Sequence, residues 1–202
     1  MIDTTLTGRP AARERACGDL VRRARAIELR HAGRREALEE IRDLMIAFLS
    51  EHRELFDPRD FELPVAHGRF FKLVEGGEAP YGLYLSVTLP GKEAAPHIHG
   101  LWCVTVGIAG REVNHYWRRT DDAGTPGQAA LSYLHGIDVV PGAGMTLGAD
   151  EIHSTETLGD EPSWMLHLYQ RPFAEFPSLL FFQPARGTVR RLPAHAAKTI
   201  RG

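Results

Sequence analysis

The pattern of apolar and polar positions divides the chain into two unlike parts. From residue 10 to about residue 56 the sequence is rich in Ala, Arg, Glu and Leu and holds few glycines. Between Arg35 and Leu49 the apolar side chains recur at spacings of three and four, which places them on one face of a helix. Asp57-Pro58 ends this part, because the residue before a proline is pushed out of helical geometry. The pattern predicts an N-terminal helical segment over residues 1–60.

The rest of the chain has the texture of short strands and turns. Stretches rich in Val, Tyr, Phe, Trp and Thr are separated by turns such as Gly76-Gly77 and Pro90-Gly91. Roughly eight such strands at regular spacing favour a mainly β fold, a sandwich or a barrel, over a parallel α/β sheet. We expect one structural domain, with a barrel over residues 61–185 and the helical segment packed on it. A basic C-terminal tail, residues 186–202, is expected to be solvated.

Composition changes this picture little but excludes some partners. The chain has 202 residues, 43% of them apolar and 25% charged, which is ordinary for a globular protein. A net charge of −2 gives no reason to expect a nucleic acid or an anionic membrane as a partner. Cys17 and Cys103 cannot make a disulfide framework, and no signal peptide or membrane span is visible. We expect a cytoplasmic protein, either a monomer or a small homo-oligomer.

A pair of histidines is the first candidate for chemistry. His97 and His99 lie two residues apart in an apolar stretch that reads as a strand. Residues i and i+2 of a strand point to the same face, so both imidazoles would aim at one point, as two ligands of a metal must. His153 is the first candidate for a third ligand from another strand. The alternative is a half-buried strand whose histidines only make hydrogen bonds, and a single His-x-His pair does not exclude it.

The spacing around these histidines resembles the two cupin motifs. The residues that resemble the first motif are, in order, Gly91, His97, His99, Cys103 and Gly110. Those similar to the second motif, with looser spacing, are Gly136, Pro141, Gly144 and His153. The resemblance covers about residues 65–172 and implies a double-stranded β-helix, or jelly-roll, barrel with a metal inside. Cys103 stands at the position where cupins usually have a carboxylate.

Within the cupins, the chain resembles the type I cysteine dioxygenase family, which includes relatives that act on 3-mercaptopropionate. The similar segments are His-Ser-Thr-Glu at residues 153–156, Met-Leu-His-Leu-Tyr-Gln-Arg-Pro-Phe at 165–173, and the helical region before the barrel. The resemblance implies that His97, His99 and His153 bind a mononuclear Fe(II). It also implies a thiol dioxygenase, which oxidises a small cysteine-like thiol to its sulfinic acid with O2.

The segment around Tyr169 carries the next part of the resemblance. Met165, His167 and Tyr169 alternate on one predicted strand and share a face. In the family, a tyrosine and a histidine at these positions lie beside the iron; the tyrosine hydroxyl donates a hydrogen bond and the histidine orients it. The family commonly has serine where this chain has Met165, so we expect a relay that is shortened or rerouted through water. A purely structural role for Tyr169 is the alternative.

Cys103 is in strand phase with the two histidines and should face the barrel interior. Some family members carry a cysteine, one residue further along, that bonds covalently to the active-site tyrosine. Cys103 is therefore a candidate for a thioether with Tyr169 or for a pocket residue. A small buried thiol that fills core space is the preferred interpretation.

Three cations are candidates for binding a substrate carboxylate. The cysteine-specific enzymes use an arginine on the first barrel strand, and the comparable stretch here holds Arg69 and Lys72. Since these residues are three apart, they face opposite sides of a regular strand, and only one can enter the barrel. Arg171 shares the strand phase of Tyr169. Each of the three could instead be a surface cation.

The sequence leaves other functions open. If no inward arginine aligns with the family position, a 3-mercaptopropionate-type substrate is preferred to cysteine. A metal-dependent cupin of another reaction class, such as an isomerase or hydrolase with Ni(II), Mn(II) or Zn(II), is an alternative. A ligand-binding cupin without turnover is a further alternative, against which three convergent histidines and Tyr169 argue.

Overall fold

The computed structural model describes residues 2–3, 10–64, 68–77 and 79–193. Helix α1 spans Pro10–Arg30 and helix α2 spans Arg35–Glu51. Within the described ranges, no helix is both long enough and apolar enough to cross a membrane.

The strands that follow are short and closely spaced. In chain order, and including a two-residue strand before α1, they are β1 Ile2–Asp3, β2 Gly68–Glu75, β3 Gly82–Thr88, β4 Glu93–Ile98, β5 Cys103–Ala109, β6 Arg111–Arg119, β7 Leu131–Val139, β8 Gly144–Leu147, β9 Ile152–Leu158, β10 Ser163–Tyr169, β11 Leu179–Gln183 and β12 Thr188–Leu192. Residues 173–175 and three other short segments are 3-10 turns.

These strands form two six-stranded sheets that face each other. The first sheet has the order β1-β2-β3-β10-β5-β8 and the second has the order β12-β11-β4-β9-β6-β7. Pairing is antiparallel between named strands, apart from the parallel pair β1 and β2. Consecutive strands such as β3, β4 and β5 alternate between the sheets, which is the winding of a jelly roll. The predicted fold class, a mainly β cupin-type jelly-roll barrel behind an N-terminal helical segment, is confirmed.

The two helices cover the outer face of the first sheet. Ile41 and Met45 of α2 are fully buried, and they belong to the same apolar cluster as Leu85 of β3 and Leu166 of β10. The apolar residues whose spacing predicts the helix are thus the residues that contact the sheet. Strands β3 and β10 are buried on both faces, because the helices cover one side and the barrel interior lies on the other.

A partly buried carboxylate joins α1 to the barrel close to the histidine pair. Glu28 accepts hydrogen bonds from the Tyr81 hydroxyl at 2.5 Å and from Nε1 of Trp102 at 3.2 Å. It also pairs with Arg25 on the same helix. Trp102 follows His99 by three residues. Its backbone N–H donates to the side-chain oxygen of Gln170, just beyond β10, and the backbone N–H of Gln170 donates to the carbonyl of Trp102. The helix is therefore fixed to the loop that carries the second histidine.

The basic tail begins later than expected. The sequence predicts a solvated segment from residue 186, but Thr188–Leu192 form β12 and pair with β11 at the edge of the second sheet. Val189 packs against a small apolar cluster that contains Phe182, while Arg190 and Arg191 are exposed. A five-residue edge strand with two adjacent arginines has too little apolar alternation to be visible in the sequence. Residues 194–202 lie outside the described part of the chain.

Candidate metal centre

Three buried histidines converge inside the barrel. His97 lies on β4, His99 directly follows that strand, and His153 lies on β9. The Nε2 atom of His99 is 2.8 Å from Nε2 of His97 and 3.3 Å from Nε2 of His153. One ligand atom from each residue lies within 4.8 Å of the others. The structure therefore brings together the three residues that the sequence predicts as metal ligands.

Strand pairing explains this convergence. His97 and His153 are register partners on the adjacent antiparallel strands β4 and β9, so their side chains leave the same face of the sheet. A register shift between Ala94 and His97 precedes the pair. Gly100, with a φ of 71°, turns the chain away directly after His99. Neither the pairing of β4 with β9 nor the register shift is visible as local sequence spacing.

Hydrogen bonds fix which nitrogen faces the centre in two of the three rings. Nδ1 of His97 donates to the backbone carbonyl of Ala95 at 2.8 Å, and Nδ1 of His153 donates to Oδ1 of Asn114 at 3.0 Å. Since both oxygens can only accept, each Nδ1 carries the proton and each Nε2 presents its lone pair. Nδ1 of His99 has no hydrogen-bond partner among the residues that the structure describes.

The electrostatics of the trio fit a divalent metal ion. Burial lowers the pKa of all three imidazoles, and neighbouring histidines lower the pKa of His99 and His153 further. The rings are therefore neutral at pH 7. Lone pairs of His97 and His153 that point at a common centre repel one another unless a cation lies between them. Imidazole nitrogen suits Fe, Zn, Ni and Cu, so the donor set admits several metals.

Tyr169 and Cys103 reach the interior from the opposite sheet. They are register partners on β10 and β5, and the Tyr169 ring lies 5.5 Å from the ring of His99. Burial, followed by the nearby Cys103 and Glu112, raises the pKa of Tyr169 well above its ordinary value. Burial also raises the pKa of Cys103 to about 12. At neutral pH the phenol is thus a hydrogen-bond donor and the cysteine is an uncharged thiol.

His167 is held between two hydroxyl groups. Its Nε2 lies 2.8 Å from Oγ of Ser86, and its Nδ1 lies 2.9 Å from Oγ1 of Thr105. Thr105 in turn contacts the sulfur of Cys103 at 3.6 Å. Burial lowers the pKa of His167 to about 3, so the ring is neutral. Cys103 and Tyr169 share a side-chain hydrogen bond, so a hydrogen-bonded path from His167 reaches Tyr169 through Thr105 and Cys103.

Ser86 supplies a hydroxyl that the sequence comparison misses. The type I cysteine dioxygenase family, which the sequence resembles, commonly has serine at the position of Met165. In this structure Ser86, on the neighbouring strand β3, is the register partner of Met165. A serine hydroxyl thus lies next to His167, but strand β3 supplies it instead of the strand that carries His167. The signal in the sequence is a single serine inside the apolar stretch Gly82–Thr88, and its partner can only be found by pairing strands.

Aromatic rings close the site on its remaining side. Phe181 stacks on His97 with ring centroids 5.2 Å apart and an interplanar angle of 18°. Phe176 lies 5.1 Å from Tyr169, and Phe173 stacks on Tyr84 at 3.8 Å. The wall that these rings form is apolar and limits the access of water to the histidines.

The three candidate substrate-binding cations occupy different places. Arg69 pairs with Glu62 at 2.7 Å and lies over Phe71, whose ring packs in the outer, helix-facing core. Lys72 is the register partner of Tyr84, whose ring faces the interior, and pairs with Glu75 at 3.3 Å.

Arg171 lies just beyond β10, half exposed, and is 3.8 Å from Glu175. Of the three cations, Lys72 therefore lies on the strand face that enters the barrel. The carboxylate beside it is shared, because Glu75 also accepts a hydrogen bond from the Tyr84 hydroxyl.

The sequence reasoning also misses two polar residues behind the centre. Asn114 holds His153, and its Nδ2 donates to Oε1 of Glu112 at 3.0 Å. Both side chains are buried on β6. Their alternation along a strand is a usable signal, but polar alternation ordinarily marks a solvated face.

Comparison with known proteins gives matches only among solved structures. No family model matches the chain, and neither does any curated protein. An oxalate oxidase in complex with the substrate analogue glycolate is 16% identical, with a TM-score of 0.39 over 50% of this chain and 46% of that one. The DMSP lyase DddQ from Ruegeria pomeroyi DSS-3 is 20% identical, with a TM-score of 0.42 over 58% of this chain and 53% of that one.

A cupin superfamily protein from Desulfitobacterium hafniense DCB-2 is 16% identical, with a TM-score of 0.42 over 56% of this chain and 86% of that one. The matched region is thus about half the length of the oxidase and of the lyase. Identities and TM-scores this low assign no activity to the chain. Its own fold and its buried histidine trio define a cupin-type barrel with a candidate metal site.

Proposed function

We propose that this protein is a non-haem Fe(II) thiol dioxygenase. The reaction joins a small thiol RSH and one O2 to give the sulfinic acid RSO2H, so sulfur is oxidised, O2 is reduced, and no external reductant is needed. The observation that carries the proposal is a buried, all-histidine donor set facing a protonated tyrosine. A carboxylate, the usual third ligand of non-haem Fe(II) oxygenases, is absent from this trio.

His97, His99 and His153 would hold the iron. Three neutral imidazoles leave the whole positive charge of the metal uncompensated, which favours an anionic thiolate over a neutral ligand. When bound, Fe(II) would supply the Lewis acidity that lowers the pKa of the thiol and the redox capacity for the reaction of sulfur with O2. Cys103, uncharged because burial raises its pKa to about 12, adds no competing negative charge.

Tyr169 is proposed as the catalytic hydrogen-bond donor. Its hydroxyl stays protonated at neutral pH and its ring packs 5.5 Å from that of His99. Thr105 and Cys103 link it to His167, whose neutral ring is held on both nitrogens. His167 thus restrains the position of the hydroxyl network and does not itself exchange a proton near pH 7.

Lys72 is proposed to receive the carboxylate of the substrate. It lies on the inward face of β2, whereas Arg69 lies on the opposite face and Arg171 is at the surface. An ammonium group binds a carboxylate as a point charge, without the bidentate geometry of arginine. A small thiol carboxylate therefore fits, and the 3-mercaptopropionate type is favoured over cysteine because the inward cation is not an arginine.

Oxygen uptake by the iron-loaded protein tests this function. We expect uptake to be stimulated by 3-mercaptopropionate or cysteine, with formation of the matching sulfinate. His153→Ala should abolish the stimulation together with iron binding, while Arg171→Ala, at the surface, should leave both unchanged. The proposal is wrong if no small thiol in a panel of carboxylates and amines stimulates uptake.

A further inference from the structure

A buried polar chain leads from His153 into the second sheet. Nδ1 of His153 donates to Oδ1 of Asn114 at 3.0 Å, and Nδ2 of Asn114 donates to Oε1 of Glu112 at 3.0 Å. The exposed fractions of the three residues are 7%, 2% and 5%. The chain lies inside the barrel, because Glu112 and Asn114 alternate on β6 in phase with Tyr116, the register partner of His153.

When Glu112 is ionised, the amide of Asn114 can satisfy both neighbours in one orientation only. Both oxygens of the ionised carboxylate only accept hydrogen bonds, so the amide must turn its NH2 group toward Glu112 and its oxygen toward His153, as the structure has it. The reversed amide would place two acceptors face to face at Glu112 and two donors face to face at His153. An unmatched buried group costs about 1–3 kcal/mol, so the orientation is strongly preferred. Glu112 therefore determines which way Asn114 points.

The orientation of Asn114 in turn determines the tautomer of His153. An oxygen facing Nδ1 requires a proton there, which leaves the lone pair of Nε2 for the metal centre. The opposite tautomer would carry a proton into the centre, where it would exclude a cation.

His153 differs from the other two histidines in this dependence. Nδ1 of His97 is held by the backbone carbonyl of Ala95, which no side-chain substitution removes. Nδ1 of His99 has no hydrogen bond within the described residues. Nδ1 is thus hydrogen-bonded in His97 and in His153. Of these two, only His153 has its tautomer set by a side chain.

The placement of Glu112 supports a specific role. A buried carboxyl group is costly unless hydrogen bonds offset its lost hydration. Burial raises the pKa of Glu112 to about 7, although its hydrogen bond with Asn114 opposes that shift. A methionine or leucine would fill the same volume in the barrel without this cost, so the carboxyl is a poor choice for packing alone.

We propose that Glu112 and Asn114 are positioning residues that prepare His153 to bind the metal. Glu112 orients the Asn114 amide, and Asn114 fixes the tautomer and the ring direction of His153. The inference concerns binding of any divalent transition metal, so it does not require that the protein oxidise thiols.

Metal affinity directly tests the hydrogen-bonded chain from Glu112 through Asn114 to His153. The apoprotein is titrated with Co(II) or Zn(II) in competition with a chromophoric chelator. We expect Asn114→Leu and Glu112→Met to weaken binding about 10- to 100-fold, the range for lost partners of ligating histidines. Glu112→Gln should bind within a few-fold of the wild type, because its amide oxygen can accept the same hydrogen bond from Asn114.

Thr157→Val is the matched control. Thr157 is the register partner of Glu112, is 1% exposed, and shares a hydrogen bond with Ser163 instead of the histidine chain. We expect this variant to bind metal like the wild type. If Thr157→Val lost as much affinity as Glu112→Met, disturbance of the paired strands β6 and β9 would explain the loss. The hydrogen-bonded chain to His153 would then not be its cause. Wild-type affinity in both Asn114→Leu and Glu112→Met would also overturn the proposal.

A measurement on the unmodified protein covers the case in which a variant does not fold. Long-range proton–nitrogen NMR of the wild-type apoprotein at pH 9, where Glu112 is ionised, distinguishes the two imidazole tautomers. We expect His153, assigned by comparison with His153→Gln, to carry its proton on Nδ1 only. A predominant Nε2–H tautomer would contradict the proposed orientation of Asn114.

Discussion

Burial keeps the side chains that line the candidate centre uncharged. The histidines are neutral, Tyr169 is protonated and Cys103 is a thiol, because each lies in the barrel interior where charge is poorly solvated. A divalent ion would therefore be the dominant charge of the site. This explains why an anionic sulfur ligand suits the centre better than a neutral one.

Tyr169→Phe should lower kcat by about 100-fold or more, the usual effect of removing a preorganised hydrogen-bond donor from an active site. The ring and its packing against Phe176 remain, so iron content should stay at the wild-type level. Steady-state oxygen uptake and metal analysis on the same samples measure both quantities. An unchanged kcat would remove Tyr169 from the catalytic machinery.

Cys103 should be a free thiol in the purified protein. It faces Tyr169 across β5 and β10, but burial holds the thiol and the phenol in their protonated, unreactive forms. Intact mass and a denaturing gel, with Cys103→Ala as the reference, detect a thioether through the loss of two hydrogens. A mass deficit in the wild type alone would contradict the prediction.

The low pKa of His167 predicts a pH-dependent stability. Its pKa is about 3 in the folded protein and near 6.5 in the unfolded chain, so below pH 6.5 the unfolded state binds more protons and stability falls as pH falls toward 3. At pH 5 this amounts to about 2 kcal/mol. Between pH 7.5 and pH 5, the free energy of unfolding should fall by about 2 kcal/mol less in His167→Gln than in the wild type. Urea unfolding of the two apoproteins measures both decreases. Equal losses would show that His167 is not held neutral.

At the scale of elements, the link between α1 and the histidine loop carries a prediction. Glu28 accepts from both Tyr81 and Trp102, so Glu28→Met leaves two buried donors without an acceptor. We expect the free energy of unfolding to fall by about 2–6 kcal/mol, since each of the two unmatched donors costs about 1–3 kcal/mol.

Leu29→Met, at an exposed position next along the same helix, is the matched control and should be neutral. Chemical denaturation of the apoproteins measures the difference between the two variants. Equal stability of Glu28→Met and Leu29→Met would show that the carboxylate does not fix the helix.

The elements could be predicted from the sequence where their pattern is strong. The three- and four-residue spacing from Arg35 onward is the buried face of α2, and the short β-rich stretches after residue 68 became strands. Strand β12 was missed, because pairing with β11 stabilises a segment with weak intrinsic pattern. Periodicity along the sequence shows which face of a segment is buried. It does not show which strand the segment pairs with.

The candidate site could be predicted only in part for the same reason. His97 and His99 are close in sequence, and the cupin-like spacing added His153. Ser86 and Asn114 reach the site through hydrogen bonds across 81 and 39 positions, which no local pattern encodes. Glu112 reaches it only through Asn114.

At the scale of the whole molecule, the site is assembled from both sheets. His97 and His153 lie on the second sheet, and Tyr169, His167 and Cys103 lie on the first. The candidate ligands and the proposed hydrogen-bond donor are thus carried by separate layers. This division allows metal binding and the positioning of Tyr169 to be altered independently.

The origin of the oxygen atoms in the product tests most directly whether this protein is a thiol dioxygenase. The iron-loaded protein is given 3-mercaptopropionate or cysteine with isotopically labelled O2 in ordinary water, and the sulfinate is analysed by mass spectrometry. We expect both product oxygens to carry the label and one O2 to be consumed per sulfinate formed. Product oxygens derived from water, or no sulfinate from any small thiol, would contradict the proposed function.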